Sequence, residues 1–195
     1  MAGLRQRKKR ATRAAIHHAG MRLFAEQGFA RTTIDQIAEA ADVSRATVFT
    51  YFPSKEDIVF GDAPAAVETL AEALRDRPAI PAVREWIGGL AGWIEPELVV
   101  QLGLVREVPG VGARRLQIYG ELERVVADAL EGELGGRLPA ELVAASLLAG
   151  LRIVEDTAAA RMEAGGELTQ AEIEALLDDA VRFAEAGIAV LAQRA

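Results

Sequence analysis

Arg45, Thr47, Phe49 and Thr50 fall within six residues of one another, and each is of a type that can touch nucleic acid in its own way. An arginine fork matches O6 and N7 of guanine. Threonine hydroxyls reach base edges or phosphate oxygens, and a phenylalanine ring packs on a thymine methyl. Helical spacing from Ser44 turns Val48 and Phe52 inward and leaves Arg45, Ala46, Thr47, Phe49, Thr50 and Tyr51 at or near the outside. No carboxylate lies between residues 44 and 52. A helix that enters the negatively charged major groove has this composition.

Other chemistries find little support. The chain has no cysteine, hence no disulfide and no thiolate metal site. Its two histidines, His17 and His18, are adjacent and diverge on a helix, so no metal is expected. Nucleophile elbow, phosphate loop, dinucleotide fingerprint and His-Glu-x-x-His are all missing, and no cofactor is expected. Glu155 and Asp156 are adjacent, about 100° apart on a helix, and do not face each other as an acid–base pair. An enzyme is therefore not expected. A binding role for the body has more to offer. Trp86 and Trp93, seven residues apart on one helix face, join Tyr119 and Phe183 as the apolar wall a small-molecule effector pocket needs. Arg106, Arg152, Glu155 and Asp156 are its polar candidates. Each aromatic could equally be core, and each charge an ion pair at a surface or interface.

The reading helix needs a frame, and the sequence writes one in helix signals. Residues dominated by Ala, Leu, Glu and Arg, with nothing alternating like a strand, predict an all-α fold of about nine helices. A first helix is expected from about Thr12 to Gln27, closed by Gly28, with residues 1–10 (RQRKKR among them) a basic arm disordered without DNA. Thr33 with Gln36 forms a capping box for the second helix. Ser44 caps the third, and Ser54 with Asp57 the fourth. Gly61 and Pro64 are expected to kink or break that fourth helix, either as a plain helix–helix corner or as a hinge between head and body. Gly/Pro punctuation then marks helices over about 80–94, 96–108, 112–131 and 139–163. Thr169 and Glu172 cap the last.

Charge divides the chain in the same place. Residues 1–55 hold ten Lys or Arg against four acids, net +6, while the remainder is net −13 within a total of −7. A basic head on an acidic body is the footprint of a module that meets phosphates at one end. No apolar run reaches the length of a bilayer span and the basic N-terminus lacks an apolar signal core, so a soluble cytoplasmic protein with no membrane partner is expected. On the last helix Ile173, Leu177, Ala180, Ala184, Gly187 and Leu191 recur at helical steps beside Leu176 and Phe183. That broad stripe, with small residues at its centre, suggests self-association.

The stretch from LFAEQGFARTT through IAEAA, VSRAT and FTYFPSKE resembles the DNA-binding domain of the TetR family of transcriptional regulators. It departs from the family pattern at Asp42, where glycine is usual in the turn, and at Phe49, where tyrosine is favoured. The resemblance covers about a quarter of the chain. It implies phosphate contacts from Thr33, Ser44, Tyr51 and Lys55, and a homodimer formed by the two C-terminal helices as a four-helix bundle. It also implies a division into a DNA-binding domain over residues 1–54 and an effector-binding and dimerisation domain over 55–195. The expectation is a repressor that binds a palindromic double-stranded operator and is released by a small-molecule effector. An activator or ligand-independent regulator of the same fold remains open, as does a helical binding protein or enzyme that does not use DNA.

Overall fold

Helix α1 (Ala2–Gln27) begins ten residues earlier than the expected start at Thr12. The basic segment expected to be disordered is helical from Ala2. Its arginines, lysines, glutamine and alanines are good helix formers, and no proline interrupts them before the body of the helix. The computed structural model describes residues 2–61, 63–90, 96–166 and 169–192. Ten helices and no strand lie among the described residues: α2 (Ile34–Ala40), α3 (Arg45–Tyr51), α4 (Lys55–Val59), α5 (Ala63–Leu74), α6 (Ala79–Leu90), α7 (Pro96–Glu107), α8 (Pro109–Leu130), α9 (Arg137–Glu163) and α10 (Gln170–Ala192).

The additional helix is α5. Phe60 caps α4, and Gly61 at φ +50° turns the chain, a conformation that suits a residue without Cβ. Pro64 then sits in the first turn of α5, where a missing N–H costs nothing. The break is complete, so one kinked helix becomes two.

The chain splits into two compact units. The first comprises Met1–Ala63 with Val100–Leu116, the second Pro64–Val99 with Gln117–Ala195. In the first, Ile16, Phe24, Ile37, Val48, Phe52, Ile58 and Val59 form a core that also takes in Leu104 of α7 and Val111 of α8. Seven- and five-residue helices bury too little to close a core alone, so α4 and the α7–α8 corner complete it. In the second unit α9 and α10 make the most extensive helix pairing, and α6 packs on α10. Gly150 permits the close approach of α9 and α10: a Cβ there would stand 2.7 Å from that of Ala180.

Candidate nucleic-acid interface

Local chemistry fixes α2 and α3. The Thr33 hydroxyl accepts from the Gln36 N–H, and the Gln36 side chain accepts the Thr33 N–H at 2.8 Å, so the expected capping box is formed. Asp42 carries the turn in the left-handed region at φ +53°, the cost its short polar side chain tolerates. Ser44 caps α3, accepting the Thr47 N–H at 3.0 Å, while its hydroxyl pairs with that of Thr47 at 2.8 Å. Val48 and Phe52 are fully buried beneath α3. Arg45, Ala46, Phe49 and Thr50 are exposed, and Thr47 and Tyr51 half-buried. The Thr50 hydroxyl donates to the Ala46 carbonyl at 2.9 Å, which directs it along the helix.

Side chains from elsewhere hold this face in place. Arg13, on α1, donates from Nη1 to the Tyr51 carbonyl at 2.8 Å and from Nη2 to the Gly61 carbonyl at 2.8 Å. Its guanidinium lies 4.4 Å from the Phe52 ring centroid. His17 Nδ1 donates to the Ile58 carbonyl at 2.7 Å, whereas His18 is exposed. Lys55 Nζ donates to the carbonyls of Phe29 and Thr32 at 2.6 and 3.0 Å and stands 4.2 Å from the Phe29 ring. Burial lowers its pKa below 10.5, partly opposed by neighbouring Glu56. Lys55 thus fastens the loop ahead of α2, and an ammonium has one further N–H to offer. Sequence reasoning missed Arg13, which falls in the expected first helix but outside its apolar stripe, and Asp35, whose carboxylate accepts from Arg45 Nη1 at 2.7 Å.

In the second unit the pocket candidates are scattered. Trp86 lines an open hollow of about 340 Å³ with Thr69, Ala73, Arg77, Ala82, Glu85 and Gly89. Its indole N–H donates to the Thr69 hydroxyl at 3.3 Å, and Arg77 pairs with Glu85. Trp93 lies outside the described residues. A hollow of about 160 Å³ between α6 and α10 includes Arg84, Leu177 and Asp178. One of about 500 Å³ along α9 includes Ile153, Asp156 and Arg161. Arg106, Tyr119, Arg152, Glu155 and Phe183 line none of these three. Arg106 is exposed and belongs to the first unit; Tyr119, Arg152 and Glu155 are half-buried in the second. Phe183 is 72% exposed on α10, so it is a surface residue rather than a pocket wall.

The stripe expected to form a dimer is largely covered within the single chain. Ile173, Leu177 and Ala184 are buried within the single chain at 4, 5 and 1% exposure, because that face of α10 already packs inside its own unit. Ala180 is half-buried against Gly150, and Gly187 is exposed. The Leu191 side chain lies outside the described residues. One residue along, a second stripe faces outward: Phe183 and Val190 are 72 and 53% exposed, with Gly187 between them. On α9, Leu138, Leu142 and Ile153 are also exposed large apolar residues. No cluster of three or more metal-binding side chains, and no helix long and apolar enough to cross a membrane, occurs among the described residues.

Residues 16–60 match the model of a family described as bacterial regulatory proteins, tetR family. The chain is 34% identical over 144 residues to the HTH-type transcriptional regulator TcmR of Streptomyces glaucescens. That match takes in 64% of this chain and 63% of TcmR, so the chain spans just under two thirds of that relative. Its fold is similar to that of FadR from Thermus thermophilus, a TetR-family transcriptional repressor solved with lauroyl-CoA. The TM-score is 0.55 at 23% identity, over 90% of this chain and 94% of that one. A TetR-family regulator from Mesorhizobium loti gives a TM-score of 0.58 at 18% identity, over 92 and 96% of the two chains. At these identities the likeness is one of fold.

Proposed function

Because this chain belongs to the tetR family of bacterial regulatory proteins, we propose that it represses transcription in the cytoplasm by binding a palindromic operator as a homodimer, until a small molecule releases it. The observation that carries the reading is α3 itself: a capped helix seated on Val48 and Phe52, with Arg45, Phe49 and Thr50 exposed and no acid on it. Arg45 reads guanine, Thr47 and Thr50 reach base edges or phosphate, and Phe49 meets a thymine methyl. Thr33, Ser44, Tyr51 and Lys55 are assigned to phosphates, the first two at helix N-termini that favour anions. In this reading the DNA-binding head comprises residues 1–54 and the effector and dimerisation part residues 55–195. The test is selection from random duplexes by the full chain. Arg45→Ala should cost about 1–3 kcal/mol and relax one position of the selected operator. Unchanged affinity and preference would refute this reading face.

The dimer is supported by the outward stripe of Phe183, Gly187 and Val190 on α10 and by the exposed apolar residues of α9. A two-fold axis there predicts half-sites about 34–36 Å apart, or a multiple of that spacing. For the effector, the hollow beside Trp86 offers an indole wall, a hydroxyl and an ion pair at its edge. The lauroyl-CoA bound by the Thermus FadR illustrates that this fold accommodates a ligand. Release requires that the effector favour the arrangement that does not fit DNA. A coupling of about 1–3 kcal/mol corresponds to roughly 5–150-fold weaker operator binding, and by linkage the operator weakens the effector equally. Trp86 fluorescence during reciprocal titrations tests both statements; a releasing compound that shows no mutual weakening refutes this route.

A further inference from the structure

We propose that Asp35 of α2 is a positioning residue that sets which base Arg45 reads, an inference that rests on the operator-binding function above. Asp35 Oδ2 accepts from Arg45 Nη1 at 2.7 Å, and the Arg45 guanidinium carbon lies 5.5 Å from the centroid of the Phe49 ring. The arginine is therefore held from two sides, by an acid on the preceding helix and by an aromatic one turn further along its own. Guanidinium carries five N–H donors, so a carboxylate that engages Nη1 leaves Nε and Nη2 for a two-bond contact with O6 and N7 of guanine.

Position and exposure favour this role over a structural one. The two side chains are 57 and 66% exposed, and exposed ion pairs contribute little to folding. A carboxylate beside a surface that meets phosphates weakens every complex by repulsion unless it returns something in specificity. Among the acids of α2 and its turn, Asp35 is the one whose described ion pair is with the reading helix; Glu39 and Asp42 have no such bond among the described contacts. A free arginine side chain samples many rotamers and loses them on docking. One already placed loses fewer, and only for a base presented at the angle in which it is held. Asp35 also sits in the first turn of α2, where an acid suits the helix dipole, and the test must separate the two roles.

The experiment measures the affinity of the full chain for its selected operator and for the three single-base alternatives at the position that Arg45→Ala relaxes. Asp35→Ala and Asp35→Asn should lower the base preference there by about 2- to 5-fold, the range an exposed ion pair supplies. They should also raise affinity for unrelated duplexes, because a negative charge has gone. In an Arg45→Ala background, Asp35→Ala should have no further effect on that preference. Asp35→Asn is close in size and suited to a first turn, so it carries the test if Asp35→Ala lowers the melting temperature. An equal shift for all operators, or an undiminished effect in the Arg45→Ala background, would assign Asp35 to charge or helix stability alone and overturn the proposal. A wild-type chain that enriches no sequence would instead overturn operator binding itself.

Discussion

Phe183 and Ala184 are neighbours in sequence, and a charge placed at either should have opposite consequences. Phe183 is 72% exposed in the single chain and Ala184 1%. Burying a phenylalanine side chain fully is worth about 1.5–3 kcal/mol, so roughly three quarters of it, about 1–2 kcal/mol, remains to be gained at a subunit interface. A two-fold interface counts the residue twice, giving about 2–4 kcal/mol per dimer, or a factor of about 30–1000 in the dimer constant. Phe183→Asp forfeits that and adds the desolvation of two carboxylates. It should sediment as a folded monomer at micromolar concentration, with a helical spectrum and a melting temperature close to those of a wild-type protomer. Ala184→Asp instead places a carboxylate inside the single-chain core, at a cost of several kcal/mol against a total stability of about 5–15. It should lose helicity or melt far lower. If Phe183→Asp remains a dimer with unchanged operator affinity, the outward stripe is not the interface and the reasoning fails.

Three further outcomes follow from particular contacts. Gly150→Ala would bring a Cβ to 2.7 Å from that of Ala180 and should destabilise the α9–α10 pair by about 1–3 kcal/mol. Gly120→Ala, in open space on α8, should stabilise by up to about 1; urea midpoints compare them. Lys55→Met removes the donor from the Phe29 and Thr32 carbonyls and should cost about 1–3 kcal/mol of stability, besides weakening all duplexes evenly. Chemical denaturation reads the first and salt-dependent binding the second. The N–H and hydroxyl of Thr169 hold the Glu172 carboxyl below 4.5, with a smaller contribution from Arg161. Its folded pKa is depressed, so the stabilisation is complete above 4.5 and is lost as pH falls through the lowered value. NMR titration of Thr169→Ala, which removes the hydroxyl and keeps the N–H, should move Glu172 only part of the way back towards 4.5.

What the sequence made legible was local. The caps at Thr33, Ser44, Ser54 and Thr169, and the turn through Asp42, depend on residues two to four apart, and all are formed. Which residues of α3 face outward followed from the same spacing. Contacts between distant residues left no such trace. Arg13 reaches carbonyls 38 and 48 residues away, and Lys55 reaches others 23 and 26 away, and no side-chain pattern encodes a backbone acceptor. On α10 two apolar stripes lie about 100° apart, through Leu177 and Ala184 and through Leu176 and Phe183. Both look fit for a core, and only the packing of α9 and α6 decides which is inward. The pocket candidates suffered similarly, because Trp86 takes its neighbours from α5 rather than from the aromatics of later helices.

The course of the chain between its two units bears on how an effector could act on α3. Sequence suggested a single passage from head to body near Gly61 and Pro64, but the chain passes between its two units three times, at 63/64, 99/100 and 116/117. The last crossing lies inside α8, whose backbone is helical from Pro109 to Leu130. A continuous helix carries a displacement that a glycine turn would absorb. Within the first unit the start of α8 is well fastened: Val111 is fully buried, and Arg114 Nε donates to Asp57 Oδ1 at 2.6 Å with side chains only 23 and 14% exposed. The other oxygen of Asp57 accepts the N–H and the hydroxyl of Ser54, so one carboxylate both starts α4 and receives α8. Lys55, next in sequence, grips the loop ahead of α2, and α2 packs on α3. The coupling that release requires, about 1–3 kcal/mol, is no larger than one charge-assisted hydrogen bond in a half-buried place. In the proposed release, α8 with its Asp57–Arg114 contact is thus a second candidate route beside the turn at Gly61.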